Sequence, residues 1–205
     1  MQDGLSTASI SWAVGQLRDT LERSASELNE LDGKIGDGDL GATMARAGAA
    51  LAKDRPNLPP DVGMAFLRCA QIFSRESAGT YGTLMATGLM AAAKATKGRV
   101  IVPWVEVSSL LAVALSAMSD RGKAQLGDKT VLDAIEAARE ATKRLEDPAS
   151  LLDAADRAIT AAIDQYRDLP FRQGRARIFS SNAVGLDDPG MIALKRIVEG
   201  LAEKK

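Results

Sequence analysis

Apolar residues recur at intervals of three and four from the start of the chain, with Ile10, Val14, Leu17, Leu21, Leu28 and Leu31 on one side of a 3.6-residue period. This spacing predicts one long amphipathic helix that ends where the Asp/Gly stretch begins, because glycine is costly inside a helix. A second helix is predicted from about Thr43 to Lys53, followed by a connector at Arg55-Pro56-Asn57-Leu58-Pro59-Pro60. Met64, Leu67, Ala70 and Ile72 mark the next. Gly79 to Gly82 interrupts the pattern, and Thr83 to Ala95 resumes it, apolar on nearly every side, which puts this stretch in the middle of the bundle. Pro103 suits the first turn of a helix reaching about Met118. Another helix, Thr130 to Leu145, follows a Gly/Lys/Asp loop at Arg121 to Asp128. Asp147-Pro148 and Asp188-Pro189 each join a capping side chain to a proline at the first helical position, opening a helix to about Arg167 and the terminal helix. Between them, Pro170 to Asp187 has no helical period, and no alternating run predicts a strand. The expectation is a single all-α domain over residues 1–205, a bundle of about eight helices.

Composition narrows what such a bundle can do. Apolar residues make up 46% of the chain but only two Trp, two Tyr and four Phe contribute, so the core must rest on Ala, Leu, Ile, Val and Met. A formal net charge of −1 gives no bulk electrostatic case for nucleic acid or a membrane surface. No apolar run is long enough to span a bilayer, and the lone Cys69 forms no internal disulfide; the expectation is a cytoplasmic protein. There is no histidine. Histidine acid–base catalysis, histidine metal ligation and Ser-His-Asp arrangements are thereby excluded.

The remaining chemistry must run on carboxylates, cations, hydroxyls and backbone amides. Asp32, Asp37 and Asp39 lie within eight residues among glycines, in Leu31-Asp32-Gly33-Lys34-Ile35-Gly36-Asp37-Gly38-Asp39-Leu40-Gly41. Magnesium takes oxygen ligands and leaves coordination positions for water and phosphate, and glycines let several carboxylates turn to one point. A solvated turn would use the same residue types. A calcium EF-hand is a poor fit, because the twelfth position counted from Asp32 or Asp37 is Thr43 or Gly48 rather than Glu. Gly122-Lys123-Ala124-Gln125-Leu126-Gly127-Asp128-Lys129-Thr130 looks like a P-loop but fails: Asp128 intrudes before the Lys, and a helix precedes it where a strand is required. A cap for the next helix by Asp128 or Thr130 explains it equally well, and a helix N-terminus also attracts phosphate. Arg172, Arg175 and Arg177 form a basic cluster in the irregular segment, either a solvated loop or a flap over a phosphorylated ligand. Cys69 fits a core position.

Together these segments resemble the L subunit of dihydroxyacetone kinases, the ADP/ATP-binding domain. The resemblance rests on four collinear blocks: Leu31–Gly41, Gly79–Gly82, Arg121–Thr130, and Gly174-Arg175-Ala176 running on to Asp188-Pro189-Gly190. It implies a closed barrel of eight antiparallel helices with the nucleotide at one end. It implies that Asp32, Asp37 and Asp39 hold two magnesium ions bridging to the phosphates of ADP or ATP. Leu40, Gly41, Ala42, Thr43, Thr80 and Tyr81 would lie along the phosphates, and Gly122 and Val131 on the adenine side. Arg175 and the Asp188-Pro189-Gly190 turn would close over the nucleotide, with Arg175 and the three aspartates as the catalytic set. The implied partner is a substrate-binding K subunit that holds a ketose through its own histidine. The donor is ATP or, in the other family version, a phosphotransferase-system phosphocarrier, and a homodimer is also compatible. The chain departs from the family at Leu40, where His is usual, at Thr43, where Asn is common, and at Tyr81, where Ser is usual. Those departures keep two alternatives open: a kinase subunit for another sugar or acyl substrate, and a non-catalytic Mg-nucleotide sensor.

Overall fold

The computed structural model describes residues 4–77, 79–174, 177 and 183–203. The chain opens with β1 (Leu5–Ser6), α1 (Thr7–Arg23), α2 (Ala25–Gly33) and α3 (Leu40–Asp54). A 3-10 turn at Arg55–Asn57 leads to α4 (Val62–Glu76) and α5 (Thr80–Thr96). Then come β2 (Ile101–Val102), a 3-10 turn at Trp104–Glu106, α6 (Val107–Gly122), α7 (Val131–Ala141), α8 (Pro148–Arg167) and α9 (Pro189–Ala202). The two short strands pair antiparallel, Leu5 with Val102 and Ser6 with Ile101, too briefly to show alternation in sequence.

Most helix starts are written as caps. Asp61, Asp147 and Asp188 accept the amides of Met64, Ser150 and Met191, and Ser6 and Thr130 head capping boxes. The helices pack in succession, α1 on α3, then α4, α5, α6, α7, α8 and α9, and α9 returns to α1. The ring is closed, and short links from α3 through α8 make those neighbours antiparallel, with a longer segment, 168–188, leading from α8 to α9. The wide apolar face of α5 is therefore that of a wall helix between α4 and α6, not of a central rod.

The predicted first helix is two. Ser24 has ψ −5°, and its amide bonds back to Thr20 and Glu22, so the rod bends there without ending. Because α2 continues along α3 and α9, α1 and α2 act as one bent member of the ring. The core is aliphatic, with Leu21, Leu28, Met44, Val62, Ile159 and Met191 at 2% exposure or less. Small residues let helices approach closely: a Cβ on Gly63 would sit 2.6 Å from the Ala93 carbonyl oxygen. Cys69 is buried, and burial pushes its thiol up to about 11, as a core residue requires. No described helix is long and apolar enough to cross a membrane.

Candidate functional site

In an antiparallel ring alternate helices begin at the same end. The first turns of α3, α5, α7 and α9 all line one cleft of about 430 Å³. Helix N-termini carry partial positive charge and unpaired amides, so their convergence makes this end attractive to anions. Among the four, α3 and α5 start without a side-chain bond from the cap residue. Asp32 and Asn29 accept the Leu40 and Ala42 amides of α3, which leaves the first amides of α5 as the better placed for a ligand.

The acidic loop forms the polar wall. Asp32 stands in the last turn of α2, and its Oδ2 accepts the amides of Asp39 (3.1 Å) and Leu40 (3.3 Å), folding the loop back on itself. Its carbonyl accepts Ile35 and Gly36. Gly36 leaves room for the Asp32 carboxylate, which a Cβ there would displace, and Gly38 takes φ +74°. In this fold Asp32, Asp37 and Asp39 each present a carboxylate oxygen, all within 4.8 Å of one another. Like charges at that separation repel, and a divalent cation would turn the repulsion into binding. Oxygen donors on a partly exposed loop suit magnesium.

The opposite wall is apolar. Leu84, Met118, Ala124, Val131, Leu132 and Ile135 form a cluster of their own beside the main core, and Gly122 lies against Leu84. One side of the cleft is thus built for charge and the other for a flat apolar group. Between them, the Tyr81 ring lies 3.2 Å from where a Cβ on Gly190 would stand. Among the described residues the buried Tyr81 hydroxyl has no hydrogen-bond partner, and burial raises its pKa. Burial likewise lifts the Asp188 carboxyl to about 7, with the Asp133 charge adding to the rise and Lys129 and the Met191 amide opposing it.

Of the residues singled out in the sequence, Asp32, Asp37, Asp39, Leu40 and Thr43 line the cleft from the acidic side. Thr80, Tyr81, Gly122 and Val131 line it from α5 to α7, and Asp188, Pro189 and Gly190 from α9. Gly41 and Ala42 are not among the lining residues. A Cβ on Gly41 would overlap the Ala25 carbonyl, and the Ala42 amide bonds Asn29 Oδ1 at 3.0 Å. Arg175 lies outside the described residues. The Leu40 side chain belongs to the main core, and the Thr43 hydroxyl accepts from Arg46.

Sequence reasoning missed Lys129, Asp133 and Phe171. Lys129, which a P-loop would aim at phosphate, is 1% exposed and gives its ammonium to the carbonyls of Arg167 (2.7 Å) and Leu169 (2.8 Å). Asp133, 4% exposed, accepts the amides of Gly127 (2.6 Å) and Thr130 (2.8 Å). The Thr130-x-x-Asp133 capping box is the sequence signal that could have found Asp133; nothing in the sequence separates Lys129 from a solvated lysine.

A model of the DAK2 domain matches residues 34–203. The chain belongs to the DAK2 domain family. Human triokinase/FMN cyclase is 32% identical over 97% of this chain, which spans about a third of that protein (36%). The ADP-binding subunit DhaL of the PTS-dependent dihydroxyacetone kinase of Lactococcus lactis is 29% identical, over 95% of each chain. The dihydroxyacetone kinase from C. freundii, solved in complex with AMP-PNP and Mg2+, matches with a TM-score of 0.75 at 28% identity, over 98% of this chain and 35% of that one. The likeness to dihydroxyacetone kinase L subunits and the all-α fold are thereby borne out.

Proposed function

We propose that this DAK2 domain is the nucleotide-binding part of a dihydroxyacetone-type ketose kinase. On this reading it presents the phosphate of Mg-bound ADP or ATP to a substrate held by a separate K subunit. The observation that carries the reading is the two-sided cleft, with three carboxylates on one wall, an apolar cluster on the other and the α5 N-terminus between. A nucleotide has the matching asymmetry, charged at one end and flat and weakly polar at the other. The names of the relatives agree, since one is an ADP-binding subunit and another was solved with AMP-PNP and Mg2+.

The roles follow from the chemistry of each group. Asp32, Asp37 and Asp39 hold magnesium, two ions by the family resemblance, and magnesium supplies charge neutralisation and orientation for the phosphates. The α5 amides and the Thr80 hydroxyl donate to phosphate oxygens, while Val131, Leu132 and Leu84 cover the base. No described residue offers the histidine that would hold a ketose, and the whole sequence has none, which fits a K subunit as substrate holder. A phosphocarrier as donor and a homodimer belong to the same proposal.

The test is phosphate transfer to dihydroxyacetone or erythrulose with the cognate K subunit. Transfer from ATP or from a phosphoprotein donor is expected, and transfer from neither overturns the kinase assignment. Leu40→His then separates an adapted site from a lapsed one: unchanged turnover marks adaptation, and a large gain marks a lapsed site.

A further inference from the structure

Three loops meet at the cleft end of the ring: the acidic loop after α2, the α6–α7 loop over residues 123–130, and the segment 168–174 after α8. Each line of contact between the last two runs through a few groups. The Lys129 ammonium, at the C-terminal end of α8, holds the Arg167 and Leu169 carbonyls and stands 4.2 Å over the Phe171 ring. Two further bonds cross the same seam, Arg172 N–H to the Asp128 carbonyl (3.2 Å) and Gln173 Nε2 to the Lys123 carbonyl (3.0 Å). Lys129 reaches this position only with φ +62°, a backbone conformation disfavoured for a residue with a side chain. The other face of the seam is apolar. Phe171 packs with Ile35 of the acidic loop and with Ala183 in a small cluster separate from the main core, joined by Leu186.

We infer that Lys129 and Phe171 form a keystone that makes the three loops one mechanical unit, so that the metal-holding wall and the base-covering wall of the cleft keep a fixed spacing. Both are positioning residues. An ammonium buried to 1% exposure is costly, and it is held only because two carbonyls and an aromatic face meet it together. Removing either partner loosens both loops, because the seam between them then rests on the Arg172 and Gln173 bonds. The keystone's service to Mg-ADP rests on the proposed nucleotide site; its mechanical claim does not.

The test is amide hydrogen exchange on the whole chain without ligand, for wild type, Lys129→Met and Phe171→Leu, paired with calorimetry of Mg-ADP. Each substitution lies in one loop, and the expected result is exchange about tenfold faster in the other loop and in residues 33–39, with the centres of α1 and α4 unchanged. Mg-ADP affinity is expected to fall about tenfold in both variants. Faster exchange confined to the substituted loop overturns the keystone. Loop-to-loop coupling in a wild type that binds no Mg-ADP upholds the keystone and overturns the nucleotide reading instead. Phe171→Leu keeps an apolar side chain in the cluster, so it reports even where Lys129→Met does not fold.

Discussion

Two loops at the same end of the ring use the same residue types in opposite ways. The acidic loop spends its backbone groups on its own closure, through Asp32, and leaves carboxylates turned to the cleft. The 123–130 loop is instead tied to its own chain: Lys129 reaches the end of α8, Asp128 accepts the amide of Gln125, and Asp133 of α7 accepts the amides of Gly127 and Thr130. Glycine, aspartate and lysine next to a helix start therefore do not by themselves mark a ligand. What separates the two is where the charged groups gather: three carboxylates close together at the cleft in the first, a buried ammonium and a buried carboxylate closing on backbone groups in the second. The first loop is a site held by scaffolding, and the second is scaffolding for the site.

That contrast can be broken from either side. Asp133→Ala has the largest expected effect on stability. It leaves two partly buried amides without that acceptor, at a cost of about 3 kcal/mol, measured as a lower midpoint in urea unfolding. An unchanged midpoint would mean that the inward loop is not held as described. Asp188 comes next and acts through pH. Its carboxyl rises from an ordinary 3.8 to about 7, so the folded state keeps a proton that the unfolded state has released. Its contribution is therefore full below about pH 4, declines as pH rises through 7, and totals roughly 2 to 4 kcal/mol. Asp188→Asn keeps an acceptor for the Met191 amide and removes the titration. The variant should gain stability relative to wild type between pH 4 and 7 in parallel unfolding series.

Gly36→Ala tests the outward loop with a single carbon. Its Cβ must displace the Asp32 carboxylate, and Mg-ADP affinity should fall about tenfold with little change in unfolding midpoint. The smallest effect is expected at Tyr81. Its hydroxyl has no partner among the described residues, so Tyr81→Phe should be neutral or stabilise by up to about 1 kcal/mol, whereas a clear loss of stability would reveal a partner.

The fold was legible to the extent that caps and periodicity carried it. Asp147-Pro148 and Asp188-Pro189 opened α8 and α9 as expected, because cap chemistry is local. The bend at Ser24 was not legible, since the apolar stripe runs through it without a break. Nor was the place of α5, because a helix covered by two ring neighbours has the same wide apolar face as a central one. The acidic loop was legible as a candidate from Asp and Gly spacing alone. Its apolar counterpart was not: Leu84 and Val131 are remote in sequence and meet only through the packing of α5, α6 and α7. Lys129 and Phe171 had no local signal at all, since their meaning lies in what α8 brings to them.

The central claim is that the carboxylates of the acidic loop hold the metal through which this chain binds a nucleotide. It is tested most directly by calorimetric titration of ADP with and without magnesium into wild type and Asp37→Ala. The account predicts magnesium-dependent binding in wild type and loss of it, by about a hundredfold or more, in a variant whose unfolding midpoint is unchanged. Equal Mg-ADP affinity in the two proteins would contradict it.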